Sequence, residues 1–159
     1  KNFSRLDESE ANQANVHDLI NSTLVVLRNL LKGSVEVKKN FDPSMEPIKC
    51  FPGKLNQVFS NLITNAAQAL DGCTDAQIAI RTENKPDKIL ITIQDNGPGI
   101  PEEIQGKIFE PFFTTKEVGA GTGLGLSIVY SIINQHDGEI EMKQTNPGTA
   151  FIIELPKKD

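Results

Sequence analysis

The sequence is short of the residues that build metal centres and disulfide frameworks. It has two cysteines and two histidines among 159 residues, and Cys50 and Cys73 stand 23 positions apart with no histidine near either. That spacing argues against a metal site, and a chain of this length can bury a core without a disulfide, so both cysteines are expected to be free thiols. No apolar run approaches the roughly 18 residues of a membrane span, and no basic start with a small-residue cleavage site marks a secretory signal. Basic residues are in deficit too. Sixteen Lys and Arg against twenty-one Asp and Glu leave a net charge of −5, which makes nucleic acid an unexpected partner. An initiating methionine is missing at Lys1, so the chain reads as a fragment or processed product, cytosolic in character, whose parent could itself be membrane-anchored.

What is present fits one ordinary globular domain, with 38% hydrophobic and 23% charged residues. Seven of the twelve glycines fall in residues 95–126, six of them in two groups, DNGPG at 95–99 and GAGTGLGL at 119–126. Glycine at that density means either a linker or a backbone that must approach something closely, and the flanks decide between them. The β-branched run KILITIQ at 88–94 leads in, and LGLSIVYSIINQH leads out with apolar residues at helical spacing. The glycines therefore punctuate a strand, a long loop and a helix start.

Taken in order, residues 1–15 are polar without a sustained period and read as a linker or a frayed helix end. Apolar positions at spacings of three and four predict one helix over 16–32, ended by Gly33. Residues 34–41 read as an edge strand carrying Lys38 and Lys39, and 48–51 as a second short strand. Pro52 and Gly53 open a helix to Leu70, with an apolar stripe of Leu55, Val58, Phe59, Leu62, Ile63, Ala66 and Ala69. Its other edge aligns Gln57, Asn61, Asn65 and Gln68. That edge is either a solvated face or a pair of amide oxygens aimed at a hydrated cation, since Mg²⁺ takes few protein ligands and keeps its waters and substrate phosphates.

Strands at 77–83 and 88–94 form a hairpin, and the second runs into Asp95. Asp95 either caps its own turn or accepts a hydrogen bond from an exocyclic amine, with Gly97 and Gly99 letting a flat base lie on the main chain. The connection 100–118 carries Phe109, Phe112 and Phe113, which are tucked into the core or displayed on a lid that docks elsewhere. A helix over about 124–135 follows the second glycine group, and its amide-rich start is suited to phosphate. The G-x-G-x-G spacing differs from both the Rossmann and the P-loop patterns. A closing hairpin at 138–143 and 149–155 alternates Ile140, Met142, Phe151 and Ile153 with polar neighbours.

NLITNAAQAL at 61–70, DNGPG, FEPFFTTK at 109–116 and GTGLGL at 121–126 resemble, in order, the N box, first glycine box, F box and second glycine box of the catalytic ATP-binding domain of bacterial sensor histidine kinases, in the GHKL superfamily. The resemblance implies a Bergerat-type fold. This is an α/β two-layer sandwich with a mixed, mostly antiparallel sheet and about three helices on one face, occupying 16–159. It implies ATP and Mg²⁺ as cofactors. Asn65 would be the metal ligand with Asn61 supporting it, Asp95 would take the adenine amino group, and Gly97, Gly99 and Ile100 would shape the base pocket. Gly121, Gly123, Leu124, Gly125 and Leu126 would cradle phosphates, Lys116 would neutralise them, and Thr149 would help bind adenine. Residues 109–116 would form the lid.

The resemblance also implies partners. These are a histidine-bearing dimerisation domain of the same protein and a downstream response regulator, with a homodimeric parent and a monomeric isolated domain. One departure within the superfamily bears on chemistry: gyrase-type ATPases and the anti-sigma-factor serine kinases place a glutamate, a general base toward water or a hydroxyl, where this chain has Asn61, and an amide cannot take a proton at neutral pH. That favours transfer to a stronger nucleophile, such as a neutral imidazole, over hydrolysis. A self-contained ATPase or nucleotide-operated interaction module is the rival reading. His17 is followed by Asp18, but no proline lies in 19–23, and the 48 positions from His17 to Asn65 cannot hold the rest of a long helical hairpin plus the first half of this domain, so His17 is not expected to be the acceptor. His136 reads as a helix C-terminal residue favoured by the dipole.

Overall fold

Isoleucine repeated at every second position gives this chain strands with one dry face, and the sheet they form governs where everything else sits. A computed structural model describes residues 11–110 and 125–158. Its elements run β1 (Asn12–Ala14), α1 (Val16–Val26), α2 (Arg28–Leu31), β2 (Glu36–Asn40), β3 (Ile48–Cys50), α3 (Pro52–Ala69), β4 (Gln77–Asn84), β5 (Lys88–Asp95), α4 (Glu102–Gln105), α5 (Gly125–Gln135), β6 (Glu139–Gln144) and β7 (Thr149–Pro156). Five strands pair in the order β2-β4-β5-β7-β6, parallel between β2 and β4 and antiparallel elsewhere. Parallel pairing needs a long connection, and the stretch containing α3 supplies it.

Register places the apolar residues in rows across the sheet. Ile80, Ile93, Phe151 and Met142 stand opposite one another on successive strands, and Thr82, Ile91, Ile153 and Ile140 form the next row. Against this face packs α3, through Leu55, Val58, Phe59, Leu62, Ile63 and Ala66, all buried. Each fully buried Leu, Ile or Phe stabilises the fold by roughly 1.5–3 kcal/mol relative to exposure. α1 joins the core through Val16 and Ile20, and α5 through Val129, Ile132 and Ile133. The expected α/β sandwich, a mixed and mostly antiparallel sheet with three principal helices, is what forms.

Local departures from the sequence reading have identifiable causes. The single helix expected over 16–32 breaks at Leu27, where φ is −90° and ψ 6°, into α1 and α2. Thr23 Oγ1 donates back to the Leu19 carbonyl at 2.9 Å, and Val25 and Val26 follow; both features weaken a helix at that point. Ala69 is exposed, and Leu70, four residues after Ala66, takes the buried place expected of it. Asn12–Ala14, read as part of a linker or frayed helix, is a strand paired with β3.

The turn between β2 and β3 is held by one carboxylate. Asp42 accepts from Ser44 N at 2.9 Å, Ser44 Oγ at 2.7 Å and Asn84 N at 2.8 Å, and these bonds pull its pKa down to about 2. The Asp42 amide donates to Thr82 Oγ1 at 2.9 Å, and the same hydroxyl meets His17 Nε2 at 2.7 Å. The His17 ring stacks on Phe41 with centroids 4.3 Å apart. Burial lowers the His17 pKa, against the opposing pull of Asp18 and Asp42.

Candidate nucleotide site

Asp95 ends β5 on the helix-covered face of the sheet, in a row with Ile78, Thr149 and Gln144. It is buried, 6% exposed, and its Oδ1 accepts from the Gly97 amide at 2.9 Å. Burial raises the carboxyl pKa, partly offset by hydrogen bonds from the Gly97 and Thr149 backbones. The next residue does different work. Asn96 accepts from Gln77 N at 2.8 Å and donates to Asp75 O at 2.9 Å, so it fastens the turn to β4 while Asp95 keeps its carboxylate in the site. Gly148 has φ +106°, and a Cβ there would fall 1.9 Å from the Asp95 carbonyl oxygen, so the β6–β7 turn lies flush on the Asp95 peptide.

The glycine turn after Asp95 is gripped on both sides. Gly99 has φ +85°, Ile100 N donates to Gln144 Oε1 at 3.0 Å, and Gln105 Nε2 donates to Ile100 O at 2.9 Å. Neither glutamine stood out in the sequence, because Gln144 is one more polar residue at the end of an alternating strand and Gln105 lies in a polar loop. Further on, Ile108 is buried, and the Phe109 ring lies 5.7 Å from Tyr130 and 6.1 Å from Phe151, centroid to centroid. Phe109 is partly buried against the core.

The second half of the site is the polar edge of α3. Asn61 and Asn65 are half-buried and Gln57 and Gln68 exposed. Asn61 Nδ2 donates to the Gly125 carbonyl at 3.2 Å, which ties α3 to the first residue of α5, and Leu126 packs partly against the core. α3 also reaches the Asp95 half, since a Cβ on Gly97 would lie 3.2 Å from Ala69 O. One helix thus joins Asp95, Gly97, Gly99, Ile100 and Thr149 at the sheet end to Asn61, Asn65, Gly125 and Leu126. Lys116, Gly121, Gly123 and Leu124 lie outside the described residues, as do Phe112 and Phe113.

Neither histidine is an idle imidazole. His136 is buried; its Nε2 accepts from Phe51 N at 3.1 Å and its Nδ1 lies 2.8 Å from Ile132 O, so it pins the start of α3 to the end of α5. It stands at the end of α5 as expected, and these two bonds tie it there. Cys50 is a buried free thiol pushed up to about 11 by burial, and Cys73 is free and exposed. Among the described residues no group of three or more His, Cys, Asp or Glu could hold a metal.

A buried carboxylate at a strand end, a glycine turn bent over it and an asparagine-lined helix match a known plan. The profile of the histidine kinase-, DNA gyrase B- and HSP90-like ATPases matches residues 52–159. The chain belongs to this ATPase family. Within it, the chain is 37% identical to the sensor kinase CckA of Brucella abortus over 98% of its own length and 18% of that protein's. It is 37% identical to the signal transduction histidine-protein kinase AtoS of Escherichia coli, over 97% of the chain and 25% of AtoS. The chain therefore spans a quarter or less of these two relatives. Among solved structures, the catalytic domain of histidine kinase ThkA superposes with a TM-score of 0.82 at 34% identity, covering 94% of this chain and 99% of that one. This family member is thus built as the catalytic ATP-binding domain of a sensor histidine kinase.

Proposed function

We propose that this domain binds Mg-ATP between α3, α5 and the sheet end carrying Asp95, and donates the γ-phosphoryl to a histidine on a separate dimerisation domain of the same protein. The observation that carries the reading is the buried Asp95 carboxylate held by Gly97 beneath a glycine turn. Burial makes its ionised form costly, and a ligand amine that donates to it relieves that cost; a carbonyl at the same position, as on guanine, would oppose it. Gly97, Gly99 and Ile100 shape the base pocket and Thr149 flanks it. Gly121, Gly123, Leu124, Gly125 and Leu126 supply backbone amides to the phosphates and Lys116 adds a cation.

The donor set fits magnesium as well. Asn65, supported by Asn61, offers a hard carboxamide oxygen in a site with no cluster of carboxylates among the described residues, the arrangement suited to an ion that keeps waters and phosphates as its other ligands. When bound, the ion neutralises phosphate charge. Asn61 cannot take a proton, so the site has no base for activating water there and suits an imidazole nucleophile, whose ring nitrogen bonds to the γ-phosphorus as the bond to the β–γ bridging oxygen breaks and ADP leaves. Both imidazoles of this chain are engaged in the fold, which supports an acceptor on another domain. ThkA has been solved in complex with the response regulator TrrA, and a response regulator is the downstream partner we propose for the parent, a cytoplasmically facing homodimer.

Thermal melting with Mg-ATP and with Mg-GTP tests the base pocket. Binding at about 100 times Kd adds roughly 2.7 kcal/mol, or about 5–11 °C for a domain of this size. The expected result is a shift with ATP alone; an equal shift with GTP would remove Asp95 from base recognition.

A further inference from the structure

Gln144 lies on β6, two strands away from Asp95, and nothing in the motif pattern includes it. Its side-chain amide is nonetheless in contact with the base-pocket turn at two points. Oε1 accepts the Ile100 amide at 3.0 Å, and the Gly99 Cα is seated so closely that a Cβ there would stand 2.7 Å from Nε2. Asp95, Thr149 and Gln144 occupy one row of the sheet, so the strand register that sets the carboxylate also sets the glutamine. On its other side the Ile100 carbonyl is held by Gln105 from the short helix α4. Without Gln144, the turn 97–100 would keep, among the described residues, its tie at Gly97 and the Gln105 contact, and a glycine turn with φ above zero has many states to sample.

We propose that Gln144 is a positioning residue for the nucleotide site, fixing the turn 97–100 at the spacing the base requires without touching the ligand. The effect rests on the nucleotide reading given above. A single neutral hydrogen bond to a turn that must be ordered before binding corresponds to an affinity change of about 3- to 10-fold.

The test uses the 159-residue chain with Gln144→Met, which keeps length and apolar stem but removes the strong acceptor, and Gln144→Glu, which keeps an acceptor oxygen. Amide exchange at Ile100 without nucleotide, Kd for Mg-ATP and melting temperature are measured together, with Asp95→Ala as the reference. The expected result for Gln144→Met is faster Ile100 exchange and a Kd raised about 3- to 10-fold at nearly unchanged melting temperature. Gln144→Glu is expected to restore Ile100 protection. Unchanged Ile100 exchange in Gln144→Met, or an unchanged Kd while Asp95→Ala still loses binding, would overturn the positioning role alone. Failure of the unsubstituted chain to bind Mg-ATP would overturn the nucleotide reading and this proposal with it.

Discussion

On the proposed reading, Asp95 is where nucleotide recognition and the stability of this domain pull against each other. Its carboxyl pKa is raised in the fold because burial penalises the charge more than the Gly97 and Thr149 backbones offset it. A carboxyl raised in this way favours the fold while protonated, and that contribution is lost as pH rises through its folded value. At neutral pH the ionised group therefore costs the nucleotide-free domain stability. Asp95→Asn is expected to melt higher than the unsubstituted chain without ligand, while Asp95→Ala weakens ATP binding by roughly 1.5–3 kcal/mol, the range for hydrogen bonds to charged groups. Calorimetric titration alongside thermal melts checks both; a lower melting temperature for Asp95→Asn would show that the carboxylate is structural. The motif made Asp95 legible, but left a self-capping turn and a base acceptor equally open. In the structure the carboxylate makes the capping bond to Gly97, and Asn96 takes on fastening the turn to β4.

At the scale of elements, the contacts that fix the molecule are polar clamps between segments that periodicity alone cannot pair. The turn after β2 hangs on Asp42, and α1 leans on the same network through His17 and Thr82. Both groups have depressed pKa values, so each contributes stability above its unfolded value and loses it as pH falls. For His17 the loss begins below about 6.5, and for Asp42 it runs from about 4 down to about 2. The His17 and Asp42 contributions should therefore be lost in two stages as pH falls, against the opposite trend of Asp95, and Asp42→Asn should flatten the lower stage in denaturant midpoints measured against pH while lowering the midpoint at neutral pH. An Asp42→Asn profile parallel to that of the unsubstituted chain would mean that the three bonds to Asp42 contribute nothing to folding. The broken helix at Leu27 belongs to this scale too. Apolar spacing carried straight through it, because spacing registers neither the Thr23 back-bond nor the poor fit of consecutive valines.

For the whole molecule, on the proposed reading, an asparagine at residue 61 and two engaged histidines predict a domain that holds ATP without using it quickly. Steady-state hydrolysis by the chain alone is expected well below the roughly 10 s⁻¹ of a median enzyme, with label from γ-phosphate ATP appearing on protein only when a histidine-bearing dimerisation domain is added. Turnover near that median by the chain alone would favour the self-contained ATPase instead. Sequence by itself determined the class of fold and the kinds of residue in the site. Both are written in short-range patterns, with period two in the strands, three to four in the helices, and glycines where the main chain must bend. Tertiary structure decided which of those residues meet. The Asn61 bond to Gly125 spans 64 positions, the Ile100 bond to Gln144 spans 44 and the Phe51 bond to His136 spans 85. Such pairings depend on strand register and helix packing, which only the closed core fixes, because a slip of one residue in β6 would turn Gln144 to the other face of the sheet.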